Sequence, residues 1–158
     1  RIFAKHSENK LFEITENVEN LIKKEKQMGL DNYSVYSDFS QKVKNVKNGL
    51  NQFLEKAELE GKSTVCYGAP AKGNTLLNFC GITNEQIKYT VDRSPHKQGL
   101  FLPGSHLPIK SPKTILETKP DYIIILAWNL KDEIMEQMKD VRAWGCKFVV
   151  PIPEVKIL

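Results

Sequence analysis

The residues with the clearest chemical potential form a glycine turn between a β-rich run and an apolar helix pattern. Residues 63–67 are followed by GAPAKG at 68–73, and residues 74–80 then recur with helical spacing. Gly68 permits a tight bend. Gly73 has no Cβ, so it permits either close packing of helix on strand or access of an anion to backbone N–H groups. A strand, a glycine turn and a helix in this order are typical of phosphate-binding turns.

Three further residues strengthen or weaken that interpretation. Lys72 carries an ammonium group that could reach a phosphate, and Asp92 lies about twenty residues on, where Rossmann folds place the acid that binds ribose. Pro70 instead occupies the second glycine position of the dinucleotide fingerprint, and proline offers no N–H and adds bulk. The turn is therefore either a phosphate-binding loop or a remnant that only joins strand and helix. Lys72 and Asp92 could also simply pair with each other.

The rest of the chain supplies elements that would position these residues. Short apolar runs alternate with helical patterns, and the run at 122–127 is typical of a central strand buried on both faces. This alternation predicts an α/β fold with a Rossmann-like, doubly wound, mainly parallel sheet of about five strands. The predicted strands are 63–67, 87–91, 107–109, 122–127 and 147–150, and the predicted helices include 74–80 and 130–144.

The helical part of the chain precedes this alternating part. Residues 7–61 carry apolar residues at helical spacing in two stretches, which predicts an N-terminal helical hairpin, and residues 62–158 form the predicted Rossmann-like domain. Residues 1–5 read as a short strand, and we expect residues 1–6 to be the end of an upstream domain. The pattern leaves open whether the hairpin packs on residues 62–158 or on that upstream domain.

More candidate site residues follow the other predicted strands. His96 and Lys97 come after the second strand, and Trp128 and Asn129 come after the central strand. Because parallel strands end at one edge of a sheet, we expect these residues to converge with residues 68–73. The alternatives are an exposed loop histidine, an aromatic side chain that covers the sheet edge, and a helix N-cap for Asn129.

Composition excludes several classes of function. The net charge is +4 with scattered lysines, which predicts a solvated face or a docking surface for an anionic ligand or acidic domain, and no nucleic-acid motif accompanies it. No apolar run is long enough to span a membrane. The cysteines are far apart with no CxxC pair, so we expect no structural zinc here and free thiols in a reducing cytoplasm; they are Cys66, Cys80 and Cys146.

Longer motifs carry a family resemblance. The chain contains YGAPAKGNTLLNFCGI from Tyr67, VDRSPHKQGLFLPGSHLPI from Val91, KPDYIIILAWNLKDEI from Lys119 and WGCKFVVPIP from Trp144. Together they resemble the C-terminal domain of S-adenosylmethionine-dependent sugar C-methyltransferases, which act on TDP-4-keto-deoxysugars. The resemblance is strong over residues 60–153 and loose over the helical hairpin.

The resemblance implies a larger enzyme. In that family a zinc-binding domain and a methyl-donor-binding core precede this domain, and the first residues, from Arg1, are similar to the end of that core. In the intact enzyme a base removes the C3 proton of the sugar and the enolate attacks the sulfonium methyl group. We therefore expect S-adenosylmethionine, zinc and all catalytic residues to lie outside this chain, which alone is inactive. Its partners would be the missing core and the nucleotide sugar.

The predicted nucleotide-sugar site uses the carboxyl edge of the sheet. Two other readings stay open: an autonomous nucleotide- or dinucleotide-binding module, and a degenerate Rossmann copy with a purely structural role. The candidate substrate-binding residues are Gly68, Lys72, Gly73, Asp92, His96, Lys97, Trp128 and Asn129.

Overall fold

The chain divides into two compact units in a computed structural model that describes residues 3–158. The first unit covers Arg1–Gln41 and the second covers Lys42–Leu158. Part of the predicted first strand, residues 1–2, lies outside the described residues. Residues 3–5 form no strand, so for those residues the strand prediction is wrong.

The first unit contains helix α1, Glu16–Gln27, and the beginning of helix α2, Tyr33–Leu59. Acidic residues in the first turn of α1 and lysines in its last turn complement the helix dipole. A turn through Gly29, with φ of 71°, separates the two helices. The boundary between the units falls within α2.

The second unit is built on one six-stranded sheet. The strands are β1 Thr64–Tyr67, β2 Thr90–Val91, β3 Ile109–Lys110, β4 Tyr122–Ile125, β5 Lys147–Val150 and β6 Lys156–Ile157. Their order is β3-β2-β1-β4-β5-β6, with β1 to β5 parallel and β6 antiparallel to β5. This is the doubly wound Rossmann order, so the predicted fold class is confirmed. The sequence prediction missed β6, a two-residue strand whose residues are exposed.

Helices cover the sheet between the strands. They are α3 Ala71–Cys80 after β1, α4 Lys113–Thr118 after β3 and α5 Lys131–Gln137 after β4. The single helix predicted at 130–144 is wrong in detail. A 3₁₀ turn at Trp128–Leu130 precedes α5, and a 3₁₀ segment at Lys139–Trp144 follows it and ends at Gly145, with φ of 83°.

The core has one apolar layer on each face of the sheet. In the run after Asp121, Ile124 and Leu126 face the layer that includes α3, while Ile123 and Ile125 face the layer that includes α5. This alternation explains why the run is apolar throughout. The C-terminal half of α2 joins the first layer through Leu50 and Leu54, and Ala57, on the same side of the helix, is also buried.

No helix among residues 3–158 combines the length and the apolar character that a membrane-spanning segment needs.

Candidate functional site

The glycine turn after β1 is held against the neighbouring strand. Gly68 has φ of 96°, a conformation that favours glycine and produces the predicted bend. Its N–H donates to the carbonyl of Val91 at 2.6 Å, and its carbonyl accepts from the buried hydroxyl of Thr90 at 2.7 Å. The helix after the turn begins at Ala71, with Pro70 as its N-cap residue, and so starts two residues before Gly73.

Gly73 has a packing role. A Cβ at this position would lie 2.7 Å from the Cβ of Leu126, the residue directly after β4, which is closer than side-chain carbons approach. Of the two roles that the sequence allowed for Gly73, this geometry matches close approach of helix α3 to the sheet.

Asp92 ties the glycine turn to the loop after β2. Its Oδ2 accepts from the N–H of Ala69 at 2.8 Å and from the ammonium of Lys97 at 3.2 Å, and its Oδ1 accepts from the N–H of Ser94 at 2.9 Å. Lys97 also donates to the carbonyl of Ala69 at 3.1 Å. Asp92 therefore pairs with Lys97, and the alternative of a pair with Lys72 is wrong.

These contacts set the charge of Asp92. Partial burial, which leaves 15% of the side chain exposed, by itself raises the pKa of the carboxyl group. The N–H groups of Ser94 and Ala69 and the ammonium of Lys97 outweigh burial, so the pKa lies below its usual value. Asp92 is a partly buried carboxylate, and both of its oxygens accept hydrogen bonds. These contacts hold the glycine turn in position.

Lys72 joins the ends of β1 and β4. Its ammonium donates a hydrogen bond to Oδ1 of Asn129 and lies 4.2 Å from the centre of the Trp128 ring. We call these three residues the Lys72 cluster. Asn129 lies within the 3₁₀ turn before α5, and the N-cap residue of α5 is Leu130. The alternative of Asn129 as a helix N-cap is therefore wrong. Trp128 is half-buried and Lys72 is partly exposed.

The Lys72 cluster occupies a defined place in the topology. Strand order reverses between β1 and β4, since the chain goes from β1 to β2 on one side and returns to β4 on the other. In doubly wound sheets ligands bind outside the carboxyl ends of the strands at this switch point. The sequence prediction that residues 68–73 and Trp128 meet at one edge is therefore matched by direct contacts.

His96 is the least constrained of the predicted site residues. It lies in the loop after β2, next to Lys97, and is exposed. Among residues 3–158 no hydrogen bond or ion pair to its side chain is present. Its imidazole is available to solvent and to a ligand at this edge.

Sequence reasoning missed polar residues on the α5 side of the same edge. Arg93, directly after Asp92, lies 3.7 Å from a carboxylate oxygen of Glu133, and both side chains are exposed. The hydroxyl of Tyr67 donates to Oε1 of Gln137 at 3.4 Å. Burial raises the pKa of the Tyr67 hydroxyl, so the phenol is neutral. The available signal was the position of Arg93 immediately after a strand end, where a guanidinium can meet a phosphate.

The glycine turn departs from the usual Rossmann arrangement for a dinucleotide. Pro70 has no N–H to offer a pyrophosphate, and the Asp92 oxygens that would accept from a ribose hydroxyl already accept from the N–H groups of Ala69 and Ser94. The described residues 3–158 also contain no group of three or more His, Cys, Asp or Glu side chains that could hold a metal ion.

Burial raises the pKa of the Cys66 and Cys146 thiols, so neither is a reactive thiolate.

Comparison with known proteins identifies the family. Residues 1–153 match the family described as C-methyltransferase C-terminal domain. The chain belongs to this family. The curated C-methyltransferase NovU of Streptomyces niveus is 34% identical over 146 residues, which is 92% of this chain and 35% of that protein. The chain thus spans about a third of the length of that relative.

A solved structure gives a weaker likeness. UDP-D-quinovosamine 4-dehydrogenase from Vibrio fischeri is 15% identical, with a TM-score of 0.43, over 61% of this chain and 93% of that chain. The strand order given above, and not this likeness, defines the fold of the C-methyltransferase C-terminal domain described here.

Proposed function

We propose that this chain is the C-terminal domain of an S-adenosylmethionine-dependent C-methyltransferase that acts on a nucleotide-linked keto-deoxysugar, and that its carboxyl edge lines part of the substrate cleft. Family membership and the relation to C-methyltransferase NovU support the reaction class. The methyl-donor site, the zinc site and the catalytic residues would lie in other parts of a longer cytoplasmic protein. No methyl-transfer step is assigned to residues of this chain.

The observation that carries the proposal is the Lys72 cluster at the switch point. Lys72 brings a positive charge to the first turn of α3, where backbone N–H groups and the helix dipole favour an anion. Trp128 adds a flat, half-buried surface suited to a sugar or base. A diphosphate between a sugar and a nucleoside needs both a cation and flanking apolar surfaces.

The candidate residues divide into two groups under this proposal. Lys72, His96 and Trp128 face the ligand, and a bound phosphate would compete with Asn129 for the Lys72 ammonium. Asp92 and Lys97 act as positioning residues, since their charged groups already bind each other and the glycine turn. Gly68 and Gly73 set the backbone path. Arg93, which sequence reasoning missed, is a further cation for a phosphate at this edge.

The test is steady-state kinetics of the longer enzyme with single alanine variants. Lys72→Ala, His96→Ala and Trp128→Ala should each lower kcat/KM at least tenfold, about 1.4 kcal/mol of transition-state stabilisation. The matched control is Lys88→Ala, which removes an exposed lysine just before β2, at the opposite edge of the sheet, and should leave kcat/KM unchanged. Unchanged turnover in all four variants would favour the reading of a degenerate copy with a structural role.

A second candidate, the autonomous nucleotide-binding module, is favoured by the strand order and by Gly68. Pro70, which has no N–H, and the Asp92 carboxylate, which already accepts from Ala69 and Ser94, oppose it. Calorimetry on the 158-residue chain separates the candidates. Heat from thymidine diphosphate at millimolar concentration, with none from NAD, NADP or coenzyme A, supports the methyltransferase proposal. Tight binding of a dinucleotide would support the module instead.

A further inference from the structure

Helix α1 presents an apolar stripe that nothing in the first unit covers. No residue of the helix is buried. Val18, Leu21 and Ile22 are 49%, 56% and 47% exposed, and their spacing of three and four residues places them on one side of the helix. Asn20 and Gln27 lie on the opposite side of the same helix.

The stripe is part of a wider pattern in the first unit. Of the exposed large apolar side chains among residues 3–158, most lie before residue 42. A concentration of this kind in a short segment usually marks an interaction site. They include Leu11, Phe12, Ile14, Met28, Tyr36 and Phe39.

Helix α2 shows what the same periodicity does when a partner is present. Leu50, Leu54 and Ala57 recur at helical spacing and are buried in the core of the second unit. The α1 stripe is likewise apolar and lies on one side of its helix, but no residue of it is buried within the first unit.

We infer that the α1 stripe, Val18, Leu21 and Ile22, is the docking surface for the remainder of the methyltransferase polypeptide. The inference rests on the proposed function. NovU has nearly two thirds of its length outside the matched region, so a partner of sufficient size is covalently available. The family match includes α1, which makes the helix part of the shared domain and not a tail peculiar to this chain.

The covalent link explains why a modest stripe suffices. Docking within one polypeptide takes place at high effective concentration, so burial of three apolar side chains can hold the helix in place. A second copy of this chain would have no such advantage and would need a larger self-complementary surface. The remainder of the same polypeptide is therefore the occupant that we infer.

The test is amide hydrogen exchange of residues 16–27 in the longer protein and in the 158-residue chain. We expect exchange to be at least about tenfold slower in the longer protein, because docking protects a helix of which no residue is buried in the first unit. The double variant Leu21→Glu and Ile22→Glu should abolish the protection. The matched control, Asn20→Glu and Gln27→Glu, adds the same charge to the opposite side and should preserve it.

Three results would overturn the inference. They are equal exchange rates in the two proteins, equal loss of protection in the two double variants, and protection in the 158-residue chain that grows with its concentration, which would identify a second copy as the occupant. Failure of the proposed function is recognised separately. If the reading frame that contains this chain encodes no methyltransferase core, the proposed function falls before any exchange is measured.

Discussion

The two edges of the sheet carry the same residue types in different roles. At the amino edge Asp121 accepts from the N–H of Ser63 and from Lys62, each at 2.9 Å, and remains 37% exposed. At the carboxyl edge Asp92 binds two backbone N–H groups and Lys97 but is only 15% exposed. The amino-edge cluster is a set of exposed contacts on the surface, whereas the carboxyl-edge cluster holds the glycine turn beside Lys72. The carboxyl edge differs because helices α3 and α5 begin there after β1 and β4, whereas helical segments end at the amino edge before the strands, as at Gly145 before β5.

Concave shape alone does not distinguish the edges. A depression at the amino edge is lined by Leu54, Glu58, Thr64 and Lys88, among others. Its lysine head groups are already engaged, since Lys88 donates to the carbonyl of Glu85 and Lys62 binds Asp121. The Lys72 cluster instead carries charge and an aromatic face at the switch point. The proposal for the carboxyl edge therefore rests on its chemistry and not on its shape.

The largest expected effect comes from forcing α3 away from the sheet at the carboxyl edge. Gly73→Ala should destabilise the domain by about 2 kcal/mol, because the added Cβ would lie 2.7 Å from that of Leu126. Gly49→Ala in α2 is the control. Its Cβ would be 3.5 Å from Val155, an ordinary contact, so the change should stabilise the helix by up to about 1 kcal/mol. Urea unfolding measures both, and equal signs would contradict the packing role of Gly73.

The second effect compares the aspartates directly. Asp92→Ala should cost about 1–2 kcal/mol of unfolding free energy, because two N–H groups and the Lys97 ammonium lose their acceptor in a partly buried place. Asp121→Ala should cost less than about 1 kcal/mol, since water replaces its partners at an exposed site. Thermal or urea unfolding at neutral pH gives both values. A larger loss for Asp121 would contradict this account, because it would mean that the amino-edge contacts contribute more to stability than those of Asp92.

A smaller effect concerns acid stability. The hydrogen bond from Lys62 is the main reason that the pKa of Asp121 lies below its usual value. At Asp92 burial alone would raise the pKa, but the hydrogen bonds from Ser94, Ala69 and Lys97 outweigh it and lower the pKa. A lowered folded-state pKa contributes stability that is present above the unfolded pKa of about 3.9 and is lost as pH falls through the folded value. Asp92→Asn should therefore flatten the fall in unfolding free energy below about pH 4. An unchanged pH profile would mean that the charge of Asp92 contributes nothing.

The fold could be predicted because its signals are local and repeated. The apolar run from Tyr122 to Leu126 needs burial on both faces, and GAPAKG at 68–73 marks the turn into a helix. The short β6 strand and the 3₁₀ segments around α5 have no comparable periodicity, and packing against neighbours decides them.

The candidate site could be predicted in position but not in detail. Strand ends indicated that Lys72, Trp128 and Asp92 would share an edge. Spacing does not reveal which atoms an acid binds, so the engagement of Asp92 by Ala69 and Lys97 emerged only from the structure. The exposure of the α1 stripe was also unpredictable, because the same periodicity describes a stripe that is buried and one that awaits a partner.

The most direct test of the carboxyl edge is a ¹H–¹⁵N NMR titration of the 158-residue chain with thymidine diphosphate up to millimolar concentration. We predict progressive shifts of the amides of residues 68–74 and 127–130 and of the Trp128 indole N–H, with the Trp144 indole unmoved, and loss of these shifts in Lys72→Ala. Shifts confined to the amino edge around Lys62 and Lys88, or no shifts at all, would contradict the assignment of the nucleotide to the Lys72 cluster.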